Sequence, residues 1–169
     1  IRIRVDILKK LHTNAFVLGE VKSSTRVKKE HIPDAAIQVY VAEGSGLDIL
    51  NIYLIHINNS YVYQGGKYEL NKLFHLEEIT AEVREYMATS LSSDLAGMRH
   101  ALAQGSVPEI EIGRHCTRPY ECPFYSHCRQ YLPDHHIEQI PGARADLLGA
   151  LKAAGVTAIA EIFTDFPGL

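Results

Sequence analysis

With 169 residues, 46% hydrophobic and 22% charged, the chain can bury a sizeable core and lies within the ordinary single-domain range. No run approaches the roughly 18 to 20 apolar residues that a bilayer span needs, and the first residues alternate Ile with Arg instead of forming a signal sequence, so the reading is cytoplasmic with no membrane partner. The net charge of -3 hides a segregation: Asp6 and Glu20 are the only acids among residues 1–29, which stand at +6 against -9 for the rest.

Residues 1–9 alternate, with Ile1, Ile3, Val5 and Ile7 on one face and Arg2, Arg4 and Asp6 on the other, as a strand with one polar face does. After a polar connection through His12, Thr13 and Asn14, residues 15–23 place Val17 and Val21 on one side and Phe16, Leu18, Glu20 and Lys22 on the other, predicting an antiparallel hairpin. Residues 33–43 open on Pro33 and Asp34, carry Ala35, Ala36, Ile37, Val39 and Ala42, and end against Gly44 and Gly46, as a buried helix does. The near-continuous aliphatic run 47–57 then has the composition of a strand covered on both faces. Two strands, a helix and a strand imply a crossover and a mixed sheet.

A weaker hairpin or loop is expected over 58–66. A long helix is predicted from Ile79, capped by Thr80, with Val83, Tyr86, Met87, Leu91, Leu95, Met98 and Leu102 on one stripe and Gly105 ending it. Beyond Pro108 comes a loop with all three cysteines, then a helical pair over 144–154 and 157–163 joined at Gly155. The start at Ile1 and the stop at Leu169 suggest a piece of a longer protein whose other domains are partners.

Strand periodicity puts Glu20 and Lys22 on one face, and Asp6 on the partner strand reaches it if the hairpin register allows. An Asp and a Glu suit Mg²⁺ or Mn²⁺, which keep several waters and share their shell with substrate phosphate. A lysine beside them can orient water or offset charge developing on the phosphate. The plainer alternative for Asp6 and Lys22 is a cross-strand surface ion pair. The loop after them, with Ser23, Arg26, Lys28 and Lys29, has the composition of a phosphate-contacting segment, or of a solvated basic hairpin.

Taken together, V-D-I-L at 5–8, G-E-V-K-S-S-T at 19–25 and D-A-A-I-Q-V-Y at 34–40 resemble the RecB-like branch of the PD-(D/E)XK nuclease superfamily. The resemblance implies an α/β, restriction-endonuclease-like core: a mixed central sheet flanked by helices. It further implies Asp6, Glu20 and the carbonyl of Val21 as metal ligands, Lys22 as catalytic, and Gln38 on the following helix near metal and DNA. The tyrosine that family members carry four residues after this Gln is absent, since position 42 is Ala42; Tyr40 is read instead as a core aromatic. The implied activity is metal-dependent hydrolysis of DNA, on single strands or ends. The alternative is an inactive nuclease-fold module that binds nucleic acid or a partner.

Cys116, Cys122 and Cys128 form a tight C-x5-C-x5-C pattern, unlike the dispersed even set of a disulfide-stapled domain. Thiolates suit zinc or an iron-sulfur cluster, with His115, His127 or one of the later histidines available as a fourth zinc ligand. The family resemblance favours a 4Fe-4S cluster whose fourth cysteine would lie upstream of Ile1. The tail over 140–162 is reminiscent of a helix-hairpin-helix DNA module. The expected organisation is a nuclease core at 1–113, a cysteine-cluster loop at 114–130 and a helical tail at 131–169.

Overall fold

The computed structural model describes residues 1–166, so the last three residues of the predicted tail lie outside the described residues. The chain divides into two compact units, Ile1–Val107 and Pro108–Leu169. The first is an α/β unit with a four-stranded mixed sheet of order β1-β2-β3-β4.

Strands β1 (Ile7–His12) and β2 (Ala15–Lys22) form the antiparallel hairpin, with Ile7 opposite Gly19 and Lys9 opposite Val17. β1 begins later than the alternation from Ile1 predicts, and the cause is local. The Asp6 carboxylate accepts the Val21 amide at 2.9 Å, so a side chain stands where the strand would continue its backbone ladder. Gly19 belongs to the same register: a Cβ there would lie 3.3 Å from both Ile7 Cβ and Ile55 Cδ1.

Helix α1 (His31–Gly44) makes the crossover to β3 (Asp48–Ile57), which runs parallel to β2 with Glu20 opposite Leu54 and Lys22 opposite His56. Pro33 sits in the first turn, where its missing N–H is no loss. Gly46 takes φ +90° and lets its amide and that of Leu47 close back on Glu43 and Ala42, satisfying the last carbonyls. A bulge between Phe16 and Val17 leaves Leu50 as the extra residue of β3. Next to it the Ile52 amide bonds to Thr80 Oγ1 at 2.9 Å. Thr80 therefore repairs the sheet edge and does not cap a helix.

Helix α2 (Leu70–Leu73) leads into β4 (Phe74–Glu78), antiparallel to β3. The predicted long helix is two, α3 (Thr80–Thr89) and α4 (Leu91–Ala103), separated at Ser90. There Thr89 Oγ1 donates to the Glu85 carbonyl, the competition with helix bonding that hydroxyl side chains offer.

The core gathers Leu18, Ile52 and Leu54 of the sheet, Ala35, Ala36 and Val39 of α1, and Ile79 and Val83 at the start of α3. Arg84 locks this layer, donating two bonds to Glu43 at 3.0 and 2.7 Å and a third to the Ile49 carbonyl at 2.6 Å. On the opposite face Ile7, Val21 and Leu76 stay exposed. β3 is thus buried on one side only, because its alternate residues are only partly covered. Tyr40, expected in the core, is exposed and borders a hollow with Met87 and Leu91.

The second unit holds helices α5 (Tyr125–Arg129) and α6 (Ala145–Ala153) and its own core of Ile137, Leu148, Leu151, Val156 and Phe166. The second predicted tail helix is a single 3-10 turn at Ile159–Glu161. The Glu161 carboxylate accepts the amides of Thr157 and Ala158 at 2.8 and 3.0 Å, which pins one turn, and Ile162 is already extended. The helix-hairpin-helix expectation does not hold for this segment. No helix among the described residues is long and apolar enough to cross a membrane.

Candidate active site

At the C-terminal end of β2, the polar face that alternation assigns to Glu20 and Lys22 meets α1. Glu20 is only 5% exposed, and both its oxygens are engaged. Oε1 accepts Lys22 Nζ at 2.7 Å and Oε2 accepts Gln38 Nε2 at 2.8 Å. A buried carboxylate is costly without such partners. Strand spacing brings Lys22 to Glu20; one helical turn brings Asp34 and Gln38 of α1 over the same spot.

Lys22 also pairs with Asp34, a residue the sequence reading did not single out. Partial burial draws the Lys22 pKa down, but hydrogen bonds to Asp34 and Glu20 outweigh it and leave the pKa raised. Lys22 is therefore a cation throughout the neutral range, suited to stabilising anionic charge and not to abstracting a proton.

Asp6 meets the backbone of β2 instead of the Lys22 ammonium. Its bond to the Val21 amide places the carboxyl at the strand edge, level with the residue between Glu20 and Lys22. Strand residues direct N–H and C=O to the same neighbour, so the Val21 carbonyl opens at that edge too. Two carboxylates, Glu20 and Asp34, pair with the one ammonium, and Asp6 adds a third carboxylate at the strand edge. Gln38 adds a further acceptor: its Oε1 is buried with no hydrogen-bond partner. Hard oxygens in excess, one of them unsatisfied, are the donor chemistry of a divalent cation such as Mg²⁺. No group of three or more His, Cys, Asp or Glu able to hold a metal ion occurs among the described residues. A cation here would rest on two carboxylates and neutral oxygens.

Register extends the row sideways. Lys22 lies opposite His56, and His56 opposite His75 on β4. The His56 ring is buried, with Nε2 3.3 Å from Glu77 Oε2 and its centroid 5.3 Å from that of His75. The sequence reading missed this pair because it did not predict β4.

The loop after β2 is placed beside the site by the bond from the Ile57 amide to the Ser24 carbonyl at 2.9 Å. Ser23, Arg26 and Lys29 are exposed on it; Lys28 is half-buried, and its amide donates to His31 Nδ1 at 3.1 Å. His31 is buried, and that burial holds its pKa below the ordinary value.

In the second unit the three cysteines are free thiols, Cys116 buried and Cys122 and Cys128 half-buried. The Cys122 amide closes on the Cys116 carbonyl at 2.7 Å. As folded, they do not present a ready metal cage. No family model, curated protein or solved structure matches the chain.

Proposed function

We propose that the chain is the core of a metal-dependent nuclease of the PD-(D/E)XK type, hydrolysing DNA phosphodiester bonds on single strands or ends. The observation that carries this reading is the buried Glu20 held between Lys22 and Gln38 at the end of a parallel strand, with Asp6 fixed on the intervening residue. Ligand sites of open α/β sheets lie at the carboxyl ends of their parallel strands.

Asp6, Glu20 and the Val21 carbonyl would hold Mg²⁺ or Mn²⁺, and Gln38 Oε1 would accept from a water of its shell. Such an ion polarises the phosphoryl group and acidifies a bound water. Lys22, kept protonated by Asp34 and Glu20, offsets charge on the phosphate as the bond to the leaving oxygen breaks. Arg26, Lys28 and Lys29 hold the flanking backbone through charge, with Ser23 as a neutral donor. The three cysteines belong to this proposal only as a staple of the second unit, filled by an iron-sulfur cluster or zinc after rearrangement of their loop; no step runs through them.

The test is cleavage of labelled single- and double-stranded DNA with Mg²⁺ or Mn²⁺, comparing the chain with Lys22→Ala. Loss of one charge-stabilising donor is expected to slow cleavage by roughly 10² to 10³-fold. Equal degradation by both proteins removes the assignment. Binding without metal-dependent cutting moves it to a nuclease-fold binding module, a reading favoured by the full occupation of both Glu20 oxygens.

A further inference from the structure

A cavity of 520 Å³ opens beyond the C-terminal end of β3, walled by Tyr61, Gln64, Asn71, Lys72, Phe74 and His75. Its size falls in the range of small-ligand sites. The row that begins at Lys22 ends in its wall, since Lys22, His56 and His75 are successive register partners across β2, β3 and β4. Two strand spacings, about 10 Å, separate the first from the last.

We infer that this cavity is a subsite for an unpaired base of the substrate strand, next to the phosphate held at Lys22; the inference rests on the nuclease reading. The lining has the chemistry of a single-strand contact. Tyr61, Phe74 and His75 put three aromatic rings in the lining, the groups on which a base stacks whatever its sequence. The exposed Asn71 amide can meet a base edge with both donor and acceptor, as unpaired bases are read. Lys72 at the rim, paired with Glu69 at 2.8 Å on the surface, can exchange that partner for a phosphate. A base in a duplex is stacked and paired, so these contacts favour a single strand.

The cavity is independent of the metal ligands. Asn58 shapes it from within the chain, donating to the Lys72 carbonyl at 2.9 Å and accepting the Ser60 amide at 3.0 Å. Loop 58–64 is thereby tied to α2 without a ligand.

The test is fluorescence anisotropy of the whole chain with labelled oligothymidylate, the same strand in a duplex, and a matching oligouridylate, all in EDTA. The double variant Asn71→Ala, His75→Ala is expected to weaken the single-strand affinity roughly five- to tenfold and the duplex affinity less than twofold. Photo-crosslinking of a 4-thiothymidine strand to Tyr61 or Phe74 in the unaltered chain gives a second measurement that does not depend on a variant folding. Unchanged affinity, or crosslinks elsewhere only, overturns the subsite. Dependence on the two residues with oligouridylate alone overturns DNA as its source. Cleavage assayed in parallel separates the two proposals: a chain that does not cut but still needs Asn71 and His75 for the strand keeps the subsite and loses the nuclease.

Discussion

Glu20 is the residue on which the site turns, because a carboxylate 5% exposed needs partners for both oxygens. Gln38 supplies one of them at 2.8 Å. Gln38→Ala is therefore expected to lower stability by about 2 kcal/mol, the scale of a lost bond to a charged group, read as a shift of the urea midpoint at constant m-value. A change within about 0.5 kcal/mol means that Glu20 finds water instead. His31 adds a pH signature. Burial lowers its folded pKa below the ordinary value near 6.5, so the neutral ring's contribution is fully present above the unfolded pKa and is lost as pH falls through the folded one. Urea titrations of the chain should show stability dropping below about pH 6.5, and His31→Asn should flatten that slope; an unaltered slope assigns the titration elsewhere. That Glu20 and Lys22 share a face was legible from the period of a strand, while Gln38 came from the family resemblance alone and Asp6, just before β1, meets the Val21 amide. Asp34 and His56 were not legible, because their roles depend on which neighbour the fold brings, and a lone Asp or His in a chain carries no such mark.

Element by element, the strand–strand–helix–strand order followed from periodicity, and the departures have physical causes. β1 starts late because a side chain, Asp6, takes a backbone amide. The single stripe from Ile79 to Leu102 hid a break at Ser90, since hydroxyl residues keep the apolar period while competing for carbonyls. β4 escaped notice because F-H-L-E-E lacks β-branched residues and its alternation runs for only four positions. The hairpin itself depends on close approach at Gly19, whose missing Cβ leaves room for Ile7 and Ile55. Ile55 can turn its terminal methyl aside, but Ile7 meets the site with its Cβ, which cannot swing. Gly19→Val should cost about 2 kcal/mol by overpacking and should reduce hydrogen-exchange protection in β1 before β3. Uniform loss across the sheet indicates that the strain is shared and not borne by the edge strand.

At the scale of the whole molecule, two cores are built from separate stretches of chain. Leu18, Ile52, Leu54 and Val83 belong to the first, and Ile137, Leu148 and Leu151 to the second. Each unit buries its own apolar residues, so each has its own source of stability. The composition changes after Pro108, while the expected core ran on to 113, and apolar residues at helical spacing could not reveal that 157–163 would close as one turn around Glu161. Leu151 is fully buried and belongs to the second core, so Leu151→Ala should remove about 3 kcal/mol from that unit. Native-state hydrogen exchange reads both units at once. Amides of α6 are expected to exchange faster by the corresponding factor while those of β2 and β3 keep their protection. If β2 and β3 lose protection in step with α6, the two units unfold as one cooperative body and their stabilities are not separate.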